Sequence, residues 1–200
     1  MLATIVCVGL AGLLALHLAG TAFAQSYEPA KLDGLFAELR DAPDARTAGA
    51  VTQQIWKQWL FLADPQQRLL VELGMMQMRQ GEQSAAAATF TQLIEKAPDL
   101  PEPWHKRGSA HQLLGELPLA IADFCAALKR EPRHFGAYAN LGAVWLQVDE
   151  PVRALAAFER ALRYNPRMPG MQGEIDKLRS TLGAVVAGPP LGCDQRVSSR

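Results

Sequence analysis

The 200-residue chain has no surplus of either charge: 20 Lys and Arg stand against 20 Asp and Glu. Nothing therefore draws it electrostatically to nucleic acid or to an anionic lipid surface, and no basic stripe interleaved with aromatics supplies a local exception. Histidine is scarce, with four in the chain, and no His-x3-His or His-Glu-x2-His pair falls on a helical pattern, so the usual metal-ligand spacing is missing. Neither a Gly-x-Ser-x-Gly elbow, a phosphate-cradling Gly-rich loop nor a Cys-x2-Cys pair occurs. Ser109 and His105 share a helical face, but nothing orients the histidine as a base, which makes a hydrolase a remote reading. The expectation is a protein without catalytic residues, metal or cofactor.

Cysteine is also sparse. Cys7 lies in an apolar run, Leu2 to Ala24, that carries no Lys, Arg, Asp or Glu and ends in Ala22-Phe23-Ala24 before polar Gln25-Ser26. That small-x-small ending predicts a secretory signal over residues 1–24, cleaved after Ala24; the alternative is a retained single-span anchor, the one route to membrane contact. Either way the remainder is expected outside the cytoplasm, periplasmic or secreted. Two cysteines are left there, Cys125 and Cys193. A bridge between them is open, although no spacing rule singles it out. The competing reading of Cys125 is a small buried hydrophobe beside Phe124, and a redox role would need an accessible thiol of lowered pKa.

What the sequence does have is a period. Gly74, Gly108 and Gly142 recur at a step of 34, as do Ala86, Ala120 and Ala154, then Phe90, Phe124 and Phe158, then Pro98, Pro132 and Pro166. Leu70, Trp104 and Tyr138 keep the same step. Units of 67–100, 101–134 and 135–168 follow, each predicted to hold two helices. In the last, Tyr138, Leu141, Gly142 and Trp145 form one helical stripe, and Ala154, Phe158 and Ala161 a facing one. Glycine on the first helix and alanine on the second let the axes approach while phenylalanine fills the space beside them. The proline ends each second helix. Gly81 and Gly115 mark the turns between helices, with Asp149 in the third unit.

These residues resemble the tetratricopeptide-repeat (TPR) family, whose signature is W-x2-L-G-x2-Y, then A-x3-F, then P, returning at this same period. The second unit reads Trp104-x2-Arg107-Gly108-x2-His111, then Ala120-x3-Phe124, then Pro132; the third reads Tyr138-x2-Leu141-Gly142-x2-Trp145, then Ala154-x3-Phe158, then Pro166. The first opens more weakly, with Leu70-x2-Leu73-Gly74-x2-Gln77. Arg107 and His111 replace apolar packing residues and are expected to make the second unit's register less ideal. The resemblance implies an all-α superhelical solenoid that binds protein or peptide partners.

Both flanks read as caps. Leu32, Leu35, Phe36 and Leu39, then Val51, Ile55, Trp56 and Trp59, give two amphipathic helices over 29–65. Shifted by one repeat step they pair Phe36 with Leu70 and Trp56 with Phe90, which predicts a degenerate terminal repeat; the alternative is an unrelated hairpin covering the same end. Met171, Ile175, Leu178 and Leu182 form one face of a solvating helix over 169–182, and 183–200 reads as a disordered tail.

By the same resemblance, the first helix of each unit lines a concave face. The stripe beside the packing residues comprises Arg68, Val71, Met75 and Met78; then Glu102, His105, Ser109 and Gln112; then Gly136, Ala139, Ala143 and Leu146. It predicts a groove for an extended segment or a helix, with Met75 and Met78 alternatively packing between repeats. Some TPR proteins clamp a C-terminal carboxylate with Lys, Asn and Arg; the matching positions are Val71, Met75, Lys106, Gly136 and Asn140, of which only Asn140 and, partially, Lys106 suit. The resulting expectation is a non-catalytic adaptor or scaffold of the cell envelope. An obligate structural subunit of an envelope assembly is the nearest alternative, and a thiol redox protein a remote one.

Overall fold

The computed structural model describes residues 29–60, 64–183 and 191–193. The predicted signal segment lies outside them. Among the described residues there are nine helices: α1 (Pro29–Arg40), α2 (Ala45–Trp59), α3 (Pro65–Gln80), α4 (Gln83–Lys96), α5 (Pro101–Leu113), α6 (Leu117–Arg130), α7 (Phe135–Gln147), α8 (Pro151–Tyr164) and α9 (Met171–Leu182). None is long and apolar enough to cross a membrane. The fold is an all-α superhelix: α3 packs on α4, α4 on α5, and so on in chain order to α9.

The period works through one repeated contact. A Cβ placed on Gly74 would lie 2.7 Å from Phe90, one on Gly108 2.8 Å from Phe124, and one on Gly142 2.5 Å from Phe158. Only glycine leaves room for those rings. Ala86, Ala120 and Ala154 are each fully buried beside them, so the two helices of a unit meet nearly backbone to backbone. The connecting turns need a left-handed residue, and Gly81, Gly115 and Asp149 all supply a positive φ, of 79°, 76° and 58°. Aspartate tolerates that conformation at modest cost.

The second unit's polar substitutions do not loosen its register. Arg107 reaches from α5 to α6 and donates from Nε and Nη2 to both oxygens of Asp123, at 2.8 and 2.7 Å, and from Nη1 to Thr91 on α4. His111 adds a contact with Glu116 at 2.5 Å and lies 3.8 Å from Asp123. A two-pronged arginine–carboxylate bond replaces the apolar packing that leucine would have provided.

The tail also departs from expectation. Cys125 on α6 is bonded to Cys193, and Leu191 packs on the main core beside Trp145 and Arg153, which Gly192 approaches. Residues 191–193, read as part of a disordered tail, are pinned by that bridge.

The N-terminal hairpin is where the packing differs most from the predicted one. α1 and α2 pack on each other, but their core is not continued onto α3. Leu32, Leu35, Leu39, Ile55 and Trp59 are closed off by Phe135, Tyr164 and Met168, from the third unit and its exit. Arg40 stands where the repeat has glycine and Thr52 where it has alanine, so the small residues at the contact of a true unit are absent from this hairpin. The face of α3 that a preceding repeat would cover leaves Leu69, Leu73 and Met76 exposed.

Candidate functional site

The hairpin sits against the second and third units, and two copies of one turn hold it there. Glu131-Pro132-Arg133 and Asn165-Pro166-Arg167 stand one repeat step apart. In each, the first side chain is buried and accepts the backbone N–H two positions on, at 2.9 and 3.2 Å. In each, the arginine then reaches the hairpin. Arg133 donates to Asp33 of α1 and lies over Phe36; Arg167 donates to the carbonyl of Ala42 in the α1–α2 turn at 3.0 Å. Asn165 also donates to Thr52 of α2 at 3.3 Å. The first unit has Ala97-Pro98-Asp99 at this place, with neither the buried acceptor nor the arginine, so the hairpin has no equivalent anchor there.

Between the two anchors, α2 presses Trp56 and Trp59 onto a buried polar cluster. His134 caps α7: its Nδ1 accepts from Ala137 N–H at 3.1 Å, which leaves the proton on Nε2, donated to Glu102 Oε2 at 2.9 Å. Glu102, in the first turn of α5, is fully buried and pairs through Oε1 with Lys106 at 3.1 Å. His105 Nδ1 lies 3.3 Å from the same carboxylate but is not aligned to bond with it. Asn140 donates toward His105 Nε2 at 3.1 Å and to Ser109 Oγ at 3.0 Å. Trp59 stacks flat on His134, with ring centres 4.1 Å apart, and Trp56 stacks on His105 at 5.5 Å. The ammonium of Lys106 lies over Trp56. A Cβ on Gly136 would come within 2.5 Å of the Trp56 ring, so glycine forms the floor of the indole socket.

Burial is the largest influence on both titrating groups of the cluster. It pushes the His105 imidazole down to about 4, against the opposing pull of Glu102. It also pushes Glu102 up, but the charges of His105 and Lys106 and the hydrogen bond from His134 outweigh it, and the carboxyl ends well below its ordinary value. At neutral pH the cluster thus holds an ionised Glu102 with a neutral His105 beside it. Glu102, His105 and His134 offer three ligand atoms within 4.8 Å of one another, a spacing a cation could use. The donor chemistry does not fit: His134 Nδ1 already accepts an N–H, so Nε2 keeps its proton and has no lone pair to give. The ammonium of Lys106 beside the carboxylate further disfavours a second cation.

The expected groove residues divide into three groups. Glu102, His105 and Gly136 form the surface under the hairpin, with Ser109 tied to them through Asn140. Val71, Met75 and Met78 are half-buried against the core shared by α4 and α5, as in the alternative packing between repeats. Arg68 and Leu146 are exposed, and Gln112, Ala139 and Ala143 half-buried.

No family model matches the sequence. A TPR repeat-containing protein of Rhizobium etli is 26% identical over 159 residues, covering 80% of this chain and 78% of its own. The chain resembles tetratricopeptide-repeat proteins in sequence and has their fold. Solved TPR structures superpose on it: the first TPR of Spaghetti (RPAP3) bound to an HSP90 peptide, with a TM-score of 0.57 and 24% identity over 60% of this chain and 97% of that one. The Yersinia enterocolitica type III secretion chaperone SycD, in complex with a peptide of the translocator YopD, gives a TM-score of 0.56 and 15% identity over 60% of this chain and 96% of its own.

In TPR terms, the two side chains that match a carboxylate clamp are already engaged. Lys106 is paired with Glu102, and Asn140 with His105 and Ser109. In the sequence Trp56 and Trp59 read as repeat core, and His134 carries no signal of its place under them. The available signal was the Pro-Arg pair at 133 and 167, in step with the repeat but absent from the TPR signature.

Proposed function

We propose that this TPR-fold protein is a non-catalytic adaptor, exported from the cytoplasm, that holds a helical or peptide segment of a protein partner on its concave face. One observation carries the reading: the face formed by Glu102, His105, Gly136 and Asn140 has a helix seated on it, its own α2. A surface with sockets for helix side chains is a binding surface in its geometry, whichever helix fills it. The RPAP3 and SycD structures hold peptides, which supports the same mode here.

Export is supported by the Cys125–Cys193 bond, since disulfides persist in oxidising compartments and are rare in the cytosol, and by the apolar leader with its Ala-x-Ala ending. Photo-crosslinkers placed at Ser109 and Ala143, with the protein expressed from its own leader, test both parts together. The expected products are discrete crosslinks to one or a few partners in the envelope fraction. Crosslinks spread over many proteins, or a product retained in the cytosol, would refute the adaptor or the export reading respectively.

A second reading, a permanent subunit of an envelope assembly, is favoured by the open end of the stack, where Leu69, Leu73 and Met76 of α3 are exposed. Size-exclusion of native extracts separates the two. A permanent subunit elutes only in a large complex, an adaptor also as the free protein.

A further inference from the structure

We propose that the concave face is a receptor for an amphipathic helix presenting two aromatic side chains at i and i+3, and that the α1–α2 hairpin is a built-in competitor for it. This deepens the adaptor reading and rests on it. The sockets define the ligand. One is walled by the imidazole of His105 and floored by Gly136, and takes Trp56; the other is the face of His134, and takes Trp59. An acidic chain end suits neither, because the ammonium at the site, that of Lys106, is matched to Glu102.

Three observations mark the hairpin as displaceable. It is attached to the stack by side chains and turn carbonyls, without the glycine–phenylalanine nesting that joins the helices within each unit. The seam is also incompletely sealed: clefts of about 360 and 270 Å3 flank it, the first between Phe36, Arg133 and Tyr164, the second between Trp56, Gly136 and Met168. In addition, the Trp59 indole N–H is buried with no acceptor among the described residues, a cost that release removes. A hairpin on the same chain as the face it covers competes at an effective concentration on the order of millimolar. An incoming helix must therefore outcompete it, and the apparent affinity falls by the fraction of time the face is open.

The test uses the full chain and a fluorescent synthetic peptide of residues 29–60. Trp56→Ala with Trp59→Ala weakens the tethered hairpin and leaves both sockets intact. This variant is expected to bind the peptide saturably and at least tenfold more tightly than the unsubstituted chain, and adding Gly136→Leu is expected to abolish that binding. If the double variant loses helicity, Thr52→Cys with Asn165→Cys supplies the converse. These side chains already touch, and the bridged protein is expected to bind at least tenfold less peptide than either single-cysteine variant. Equal binding by the unsubstituted and opened chains, binding indifferent to Gly136→Leu, or binding unchanged by the bridge overturns the proposal. Opened chain that takes the peptide but crosslinks to no envelope partner removes the adaptor reading alone. Equal crosslinking of a partner by both chains removes the competitor alone.

Discussion

The stack from α3 to α8 and the hairpin of α1 and α2 are both helical pairs, but they hold themselves in opposite ways. The stack uses small against large: glycine on one helix admits a phenylalanine from the next, with the alanine of that second helix letting the axes approach, and the arrangement returns in every unit. The hairpin puts a large side chain where the stack would have its phenylalanine and an arginine where the glycine should be. Denied that partner, Trp56 finds its glycine in another place, Gly136, and packs on histidines. A departure from the repeat does not simply weaken the repeat. It redirects the element to whatever surface complements it.

The largest expected effect tests whether the two regions are energetically separate. Phe124→Ala removes a fully buried ring from the middle unit, which has neighbours on both sides, and should cost about 4 kcal/mol. Trp59→Ala removes a ring buried as deeply. Urea unfolding with hydrogen exchange resolved by helix distinguishes them. Phe124→Ala should lower the midpoint of α3 to α8 together, whereas Trp59→Ala should release α1 and α2 and leave the stack's midpoint in place. A common shift for both variants would make hairpin and stack one cooperative unit.

Acid should act on the hairpin first. His105 is neutral under Trp56, its pKa pushed down by burial to about 4 from 6.5. Once the hairpin leaves, the ring is free to approach its ordinary value. Between pH 6.5 and 4 the open form therefore binds a proton that the closed form refuses, so docking is at full strength above pH 6.5 and weakens as pH falls. The groups facing the ring, Glu102 and Lys106 on α5, His134 and Asn140, do not reverse this sign, because Glu102 stays ionised through the window. The loss reaches at most about 3 kcal/mol. Exchange of α2 amides against pH, with α6 as internal reference, measures it; equal acceleration in both helices would show that the stack is the acid-sensitive part.

Within the stack, the second unit should depend on its ion pair in place of apolar contact. Asp123→Leu leaves the partly exposed Arg107 without its carboxylate and is expected to cost about 2 kcal/mol in urea. Pairing it with Arg107→Leu, the residue the TPR signature has there, should recover most of the loss, because both polar groups then disappear together.

Much of the fold was legible in residues whose role is local and repeated. Glycine, alanine, phenylalanine and proline in step specify helix pairs, their contact and their ends, and even Asp149 in the turn followed from what a short polar side chain tolerates. The groove was legible only in outline. Glu102, His105 and Gly136 lie on the stripe the period predicts, but what covers them is α2, far upstream in the chain, and no period encodes that contact. The Cys125–Cys193 bond is hidden for the same reason: it joins a helix to a tail with no repeat of its own. Arg133 and Arg167 stood in plain view, yet an arginine after a helix-ending proline reads as solvated surface until there is a hairpin to hold.

The smallest effect gives the sharpest contrast, because the same substitution should change sign between the regions. A methyl group added at Gly142 must displace the Phe158 ring, since its Cβ would lie 2.5 Å away. Overpacking of that kind costs about 1–3 kcal/mol, and the roughly 1 kcal/mol that alanine contributes to a helix interior offsets only part of it. Gly34 lies within α1 and its Cβ position meets nothing within 4 Å. There the helix-forming gain stands unopposed, and Gly34→Ala should stabilise the hairpin by up to about 1 kcal/mol. Gly142→Ala should thus lower the stack's urea midpoint, while Gly34→Ala slows exchange in α1 and α2 and, by holding the competitor in place, weakens capture of any helix added in trans. If both glycines prove equally tolerant of alanine, close approach is not what glycine contributes at position 142, and the small-against-large account of the stack is wrong at its central contact.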